Sequence, residues 1–470
     1  MKRIDSIQIL LLLAAFLLMV TVSGCVEPLV PDNPEKPGTR SLLLRIVLPE
    51  KASLVTKAED VIGPENERMV HTIQIWAFRH QAVDATTYDG EKAVFYYPTA
   101  PSQASSPIEV TMPLPDDIMD NVDSDHPLLL DFYVLVNGSS VGVSDADSVL
   151  TRVQVKNKVM ANADGSGFGS GTSLVTAVPD GTTDGKGQGL PMAGFFNNEN
   201  KGFDVAFMHY GFTEAQVHAI DEEVEKTAGQ AMFNEQGMKD VFGATSAQIT
   251  FIDELGVTTW EDLLKVLCPE IDVTRAVSKV RFVFSKAANM DADTEITSIE
   301  LVNEKTPKTE TTAAEYENML PTSAYLFPRE NGNFALPGTS YESLSLTGTT
   351  SDDAYLDNND IAKIDDTPLR LRKSSSMTLE AYNQLLDDEI DAGHATERLL
   401  YLRESDKSSI IARISYKIAG GTEQTVDIPL DTDFHRNRWW TVYTYFISYE
   451  IGFQVTVNPW SGVESHQELE

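Results

Sequence analysis

The sequence predicts a mainly β protein, two β-sandwich domains in tandem with a few short helices in insertions. Three observations predict it. Short segments rich in Val, Ile, Leu, Phe, Tyr and Trp recur along the chain, several alternating apolar with polar residues, which is the period-2 pattern of half-buried strands. They fall into two blocks, 41–136 and 276–460, separated by a glycine-rich stretch and two helical patterns. Many short strands joined by long loops favour layered sandwiches. With 42% hydrophobic and 9% aromatic residues, the 470-residue chain carries ample material for folded cores. That length suggests roughly two or three domains of ~150–200 residues. No internal repeat is visible.

The first segments read as an address. Lys2 and Arg3 precede an apolar run over 9–22, which is shorter than a spanning helix of ~20 residues and fits a signal peptide over 1–24. It ends in Val22-Ser23-Gly24-Cys25, small residues before a cysteine, as in a lipobox. The chemistry implied is thioether lipidation of Cys25 followed by cleavage that leaves Cys25 first. Residues 25–40 hold Pro28, Pro31, Pro34 and Pro37, a density that blocks helix and ladder and favours an extended tether.

The body divides into an N-terminal domain over 41–274 and a C-terminal domain over 275–470. Residues 41–48 (SLLLRIVL) form the first strand, ended by Pro49, and 51–68 a polar loop. Strands follow at 69–78 (MVHTIQIWAF), which includes His71, and at 91–97, 108–112 and 128–136, with a turn at Asn137-Gly138. Residues 161–189 form a long, mobile surface loop. Its Gly165, Gly167, Gly169 and Gly171 lack the preceding strand and following helix of a phosphate-cradling loop. Phe212-Thr213-Glu214-Ala215-Gln216 opens a helix with a capping box, running to about Lys226. Thr258 with Glu261 opens a second, carrying Leu263, Leu264 and Leu267 to Cys268 and stopped by Pro269. The second block has strands at 276–284 and 296–302. A hairpin over 409–430 turns at Gly420-Gly421, and a closing pair spans 439–447 and 451–460. In the last strand Phe453, Val455 and Val457 point one way and Gln454, Thr456 and Asn458 the other, the mark of one wet face.

Composition excludes several functions. Lys+Arg 36 against Asp+Glu 71 gives a net charge of −35, and losing Lys2, Arg3 and Asp5 makes it −36. A general nucleic-acid binder needs clustered Lys and Arg, so no nucleic-acid partner is expected. Docking on an anionic membrane by charge alone is equally disfavoured. Cys25 and Cys268 are the two cysteines, so a disulfide scaffold or a thiolate-based zinc site is excluded. Cys268 reads as a small buried residue after its helix.

Catalytic constellations are absent. The eight histidines show no helical zinc spacing, and no serine stands in a nucleophile elbow. Asp291-Ala292-Asp293-Thr294-Glu295 and Asp357-Asn358-Asn359-Asp360 resemble fragments of calcium loops but lack the glycine and distal Glu. They read as solvated acidic loops. Trp439-Trp440 would place one ring in the core and one outward. No enzyme activity, cofactor or metal is expected.

The order of these segments resembles the fimbrillins, FimA-like type V pilus subunits of Bacteroidales made as lipoproteins. The lipobox ends at Cys25, and SLLLRIVL is followed by a loop and MVHTIQIWAF. Residues 128–137 (LLLDFYVLVN) resemble the family's strand that ends in Asn, and Leu190-Pro191-Met192-Ala193-Gly194 its LPMSG-like segment. Arg275-Ala276-Val277-Ser278-Lys279-Val280 resembles the entry into its C-terminal domain, with Ser278 where alanine is common. Residues 437–445 and 453–460 (FQVTVNPW) resemble its closing strands.

The resemblance implies two transthyretin-like sandwiches and export as a lipid-anchored outer-membrane protein at the cell surface or in a fimbrium. In polymerising members a protease cuts after an arginine beyond the first strand, removing lipid and strand. A neighbour's strand then fills the groove. The chain departs from that pattern twice. The loop offers Lys57-Ala58 rather than Arg-Ala, with Arg68 as its nearest arginine, so Lys57 and Arg68 are the candidate processing residues. Residues 461–470 hold only Val463 and Leu469 as apolar residues, a poor donor strand. An anchor or tip position fits better than a stalk. The expected partners are other fimbrial subunits, in a homo- or hetero-polymer, host or bacterial surface ligands, and the membrane through Cys25. The alternative is a non-polymerising surface lipoprotein that binds glycans or other ligands through an aromatic loop at Phe95-Tyr96-Tyr97.

Overall fold

A strand with Leu42, Leu44 and Ile46 on one face opens the fold as β1 (Ser41–Val47). The computed structural model describes residues 41–49, 67, 69–82, 85–101, 106–115, 118, 122, 126–161, 189–196, 202–290, 293–329, 337–347, 361–430, 435–448 and 450–459. After β1 come β2 (Ile73–Arg79), β3 (Phe95–Thr99), β4 (Ile108–Pro113), β5 (Leu129–Val136), β6 (Val159–Ala161), β7 (Met192–Phe196), β8 (Phe203–Asp204), β9 (Glu270–Asp272) and β10 (Thr274–Arg275). They build a three-stranded sheet, β4-β1-β9, and a six-stranded sheet, β10-β7-β5-β2-β3 with β8 on β5. Leu42, Leu44 and Ile46 share one apolar core with Ile73, Ile75, Phe132 and Val134, so the two sheets pack face to face.

The second half holds β11 (Val277–Ala287), β12 (Thr294–Thr306), β13 (Glu315–Asn318), β14 (Leu320–Pro321), β15 (Ser323–Tyr325), β16 (Tyr341–Glu342), β17 (Leu344–Thr347), β18 (Lys363–Ile364), β19 (Thr396–Arg403), β20 (Ile410–Ile418), β21 (Gln424–Pro429), β22 (Arg438–Ile447) and β23 (Glu450–Pro459). One sheet runs β18-β11-β22-β23 with β19 on β11, and the other β13-β12-β20-β21 with β17 on β12. Phe282, Phe284, Leu301, Ile414, Trp440 and Val442 fill the core between them. A third cluster joins Trp76, Phe78 and Tyr133 to Val277, Phe327 and Tyr401, and β6 pairs with β15. The architecture is mainly β, as the alternation predicts.

Among the described residues six α-helices complete it: α1 (Arg152–Lys156), α2 (Glu214–Val224), α3 (Glu235–Phe242), α4 (Ser246–Leu255), α5 (Trp260–Leu267) and α6 (Leu379–Asp391). The four consecutive helices α2 to α5 contribute Val217, Ile220, Ile252, Leu263 and Leu267 to the first core. Helix α6 places Tyr382 and Leu386 against Val283 and Tyr443, on the face of β11 and β22 away from the second core. Among the described residues no helix is long and apolar enough to cross a membrane.

Several boundaries differ from the expectation, each for a local reason. The strand expected at 69–78 starts at Ile73, so His71 lies before it. The Asn137 side chain takes the backbone there: Oδ1 accepts from the amide of His71 at 2.8 Å, and Nδ2 donates to the carbonyl of Met69 at 2.9 Å. The strand expected at 91–97 is β3 at Phe95–Thr99. Upstream, Glu91 accepts from the amide of Arg152, and Lys92 bridges Thr151 at the start of α1. Pro98 is tolerated because β3 is an edge. Helix α2 has the capping box at Thr213 and Gln216. Helix α5 is capped by Thr259 rather than Thr258, its hydroxyl accepting from the amide of Asp262 at 3.1 Å. The β20–β21 turn centres on Ala419 and Gly420, both at positive φ, rather than on Gly420-Gly421. Two successive left-handed residues match the strand twist of a tight hairpin.

Candidate functional site

The strand 41–48, expected to occupy a groove, lies in the middle of its sheet. β1 pairs antiparallel with β4, from Ser41 opposite Pro113 to Ile46 opposite Ile108. It pairs parallel with β9, from Arg45 opposite Glu270 to Val47 opposite Asp272. Leu42, Leu44 and Ile46 are fully buried, and Leu43 on the other face is 4% exposed. Each such side chain contributes ~1.5–3 kcal/mol on burial. The exit is fixed by hydrogen bonds from Val273 N to the Val47 carbonyl (3.0 Å), from Leu48 N to Ser106 Oγ (2.9 Å) and from Arg275 Nη1 to the Pro49 carbonyl (3.2 Å). These strand and exit partners all lie at position 106 or beyond. Removing β1 would expose two strand edges and an apolar slot, a ready acceptor for another strand.

One charge sits in this slot. Arg45 Nη1 donates to Asp221 Oδ1 on α2 at 2.7 Å, and Nη2 donates to Asp221 Oδ2, a fork-on-fork pair. Nη2 also donates to Glu109 Oε1 on β4 at 3.0 Å. The Arg45 side chain is 12% exposed, Asp221 16% and Glu109 34%. The bond to Asp221, chiefly, raises the guanidinium pKa further. His218 Nε2 lies 3.7 Å from Glu109 Oε2. On the opposite side, burial raises the pKa of Glu270 and of Asp272, and the charge of Asp272 raises Glu270 further. The walls are therefore acidic, and β1 brings the guanidinium that faces them. Cys268, at the end of α5, is 3% exposed, as expected, and burial pushes its thiol up to about 12 against the opposing charge of Arg45.

Cys25, Lys57 and Arg68 lie outside the described residues, as do the glycines at 165, 167, 169 and 171, the 357–360 acidic run, and residues 461–470. Glu67 is described and fully buried. Its Oε1 accepts from Lys279 Nζ at 2.7 Å and from Tyr401 Oη at 2.5 Å. Lys279 also lies over the Trp439 ring, 4.0 Å from its centroid. Burial lowers the Lys279 pKa, and Glu67 opposes that. Neither this pair nor the Arg45 clasp is legible as a pair in the sequence. Their one visible signal is a lysine or arginine inside an otherwise apolar strand.

Two aromatic expectations are corrected. Phe95-Tyr96-Tyr97 is not a loop but β3, with Phe95 buried against Phe132, and Tyr96 5.3 Å from Trp76 with its hydroxyl on Asp145. Trp439 does not face solvent: it is 7% exposed beneath Lys279, while Trp440 is in the second core. On β23, Val455 and Val457 pack on that core, whereas Phe453 is 39% exposed. Among the described residues no group of three His, Cys, Asp or Glu could hold a metal ion.

No family model and no curated protein sequence matches the chain. Solved structures do. A candidate cell-adhesion protein from Parabacteroides distasonis aligns over 91% of this chain and 99% of its own, at 12% identity and TM-score 0.42. The tip fimbrial protein Mfa3 from Porphyromonas gingivalis, with a C-terminal truncation, aligns over 89% and 99%, at 13% identity and TM-score 0.38. A fimbrial assembly protein from Parabacteroides distasonis aligns over 89% and 99%, at 10% identity and TM-score 0.37. The structural neighbours of this chain are Bacteroidales fimbrial and candidate cell-adhesion proteins.

Proposed function

We propose that the protein is a structural and adhesive subunit of a fimbrium, exported as an outer-membrane lipoprotein on Cys25 and assembled by donor-strand exchange. Its place is the tip or the anchor rather than the stalk, and its domains are 41–274 and 275–470. The observation that carries this reading is the seat of β1, between β4 and β9 with apolar residues buried on both faces. Once the chain behind it is cut, this strand is held by non-covalent contacts alone and becomes exchangeable. Residues 461–470, poor in apolar residues, would make a weak donor strand.

The Glu67–Lys279 pair favours Lys57 over Arg68 as the processing residue. A cut after Lys57 keeps Glu67 on the body. A cut after Arg68 would carry Glu67 away and strand a buried ammonium, which costs about 3–5 kcal/mol. The test is the mature N-terminus, measured by mass spectrometry on protein from its native cell surface. A start at Ala58 without lipid is expected for a strand-accepting tip. Lipidated Cys25 as the sole start would leave an anchor or a non-polymerising surface lipoprotein and would overturn strand exchange.

A further inference from the structure

We propose that the β1 slot selects its occupant by charge, accepting a strand that carries a cation where Arg45 stands and rejecting one that carries a neutral or acidic residue there. The inference rests on the strand-exchange reading. The occupant it commits to is an extended segment of a different polypeptide, with a run of apolar residues, then arginine or lysine, then an apolar residue, matching Leu42-Leu43-Leu44-Arg45-Ile46.

The geometry carries it. Asp221 and Glu109 converge on one guanidinium from two elements, α2 and β4, that remain with the body when β1 leaves. Glu270, the partner of Arg45 across the parallel ladder, adds a third carboxylate on β9. Without a cation these groups face one another across an apolar slot. A neutral occupant leaves Asp221 desolvated with its partner gone, and an acidic one adds repulsion. Apolar shape alone would admit many strands. The acidic walls discriminate among them, as a charge built against wrong partners does elsewhere. The forked geometry favours arginine over lysine, since only a guanidinium meets both Asp221 oxygens at once and still reaches Glu109.

The same chemistry argues against self-assembly through the tail. Residues 461–470 hold Glu464, Glu468 and Glu470 and no lysine or arginine. Laid into the slot of a second copy, this segment would bring no cation to Asp221. The occupant is therefore a strand that is cationic at that position, which residues 461–470 are not.

The experiment uses the full mature chain with a protease recognition sequence inserted between Lys57 and Ala58, nicked after folding and separated from its 25–57 fragment in urea before the body is returned to buffer. Fluorescent peptides spanning 41–49 are offered as the native sequence and as Arg45→Lys, Arg45→Ala and Arg45→Glu, with a peptide of 461–470 beside them. Bound peptide is read by anisotropy in competition. Uptake of the native and Arg45→Lys peptides is expected, with Arg45→Ala at least about tenfold weaker and no measurable uptake of Arg45→Glu or 461–470. Asp221→Lys in the chain should invert the order of the Arg45→Glu and native peptides. Equal uptake of all four 41–49 peptides would overturn charge selection and leave strand exchange standing. Refusal of the native peptide as well would overturn both.

Discussion

The Lys279 ammonium lies 2.7 Å from Glu67 Oε1 with both side chains buried, and it ties a residue between β1 and β2 of the first sandwich to the strand that opens the second. Neither charge has water to fall back on. Tyr401 fills a further site on the same oxygen, and the Trp439 ring covers the ammonium. Lys279→Met should therefore destabilise the protein by about 3–5 kcal/mol, because it leaves a buried carboxylate without its counter-ion. Adding Glu67→Gln should recover most of that loss, since the amide still accepts from Tyr401 while shedding the charge. Urea denaturation of the two single variants and the double variant checks it. A double variant as unstable as the sum of the singles would mean that the pair does not act as a unit.

Asn137 holds a corner that no other residue type can hold as well. It is fully buried and left-handed, at φ 56°. Its Oδ1 accepts from His71 N, and its Nδ2 donates to the carbonyls of Met69 and Leu190, each at 2.9 Å. Asn137→Asp keeps the shape and turns the donor into an acceptor facing two carbonyls. It should cost more than Asn137→Gly, which tolerates the positive φ but loses the bonds. Gly189→Ala should also destabilise, because a Cβ there would lie 2.4 Å from Asn137 Nδ2. Thermal unfolding of the three variants gives the ranking.

What the sequence reveals follows the range of the interaction. Thr213 and Gln216 are three residues apart, so the capping box of α2 is legible, and so is the burial of Cys268 behind its helix. Thr258 and Thr259 are equivalent to a pattern, and only the turn geometry selects the second. Helices α1, α3, α4 and α6 lie outside the expectation, although Thr151, Asn234, Thr245 and Thr378 stand at their N-caps. The strand character of 41–48 is visible in SLLLRIVL, yet its neighbours are not. Arg45 finds Asp221 at a separation of 176 residues, and Lys279 finds Glu67 at 212. The expected outward ring of the Trp439-Trp440 pair fails for a related reason. Period-2 alternation assumes that one face of the sheet is wet, and here Lys279 covers that ring.

Cys268 offers a direct reporter of the first strand. Its thiol is buried in the core that holds Leu42 and Leu44, and its pKa is pushed up to about 12 by burial. In a Cys25→Ser chain, alkylation of Cys268 at pH 8 should be at least about 100-fold slower than for an exposed thiol. Nicking behind β1 and displacing it should bring the rate close to that of the unfolded chain. Labelling that stays slow after β1 has gone would mean that helices α2 to α5 close over the slot.

Acid should loosen the far end of α6. The Glu389 carboxylate accepts from Arg370 Nη1 at 2.9 Å and Nη2 at 2.6 Å, and lies 3.0 Å from His394 Nδ1. The Arg370 bonds, first, hold its pKa below the usual carboxylate range. A depressed carboxylate contributes stability that is complete above its unfolded pKa of about 4.3 and is lost as pH falls through the lower folded value. Exchange protection of the His394 and Ala395 amides, which donate to the Glu389 carbonyl, should therefore fall below about pH 4. It should hold steady between pH 5 and 7. Glu389→Gln should remove that acid dependence and lower the protection at neutral pH, because the amide keeps an acceptor but loses the charge that Arg370 meets. Protection that falls equally in the variant would place the acid-sensitive group elsewhere.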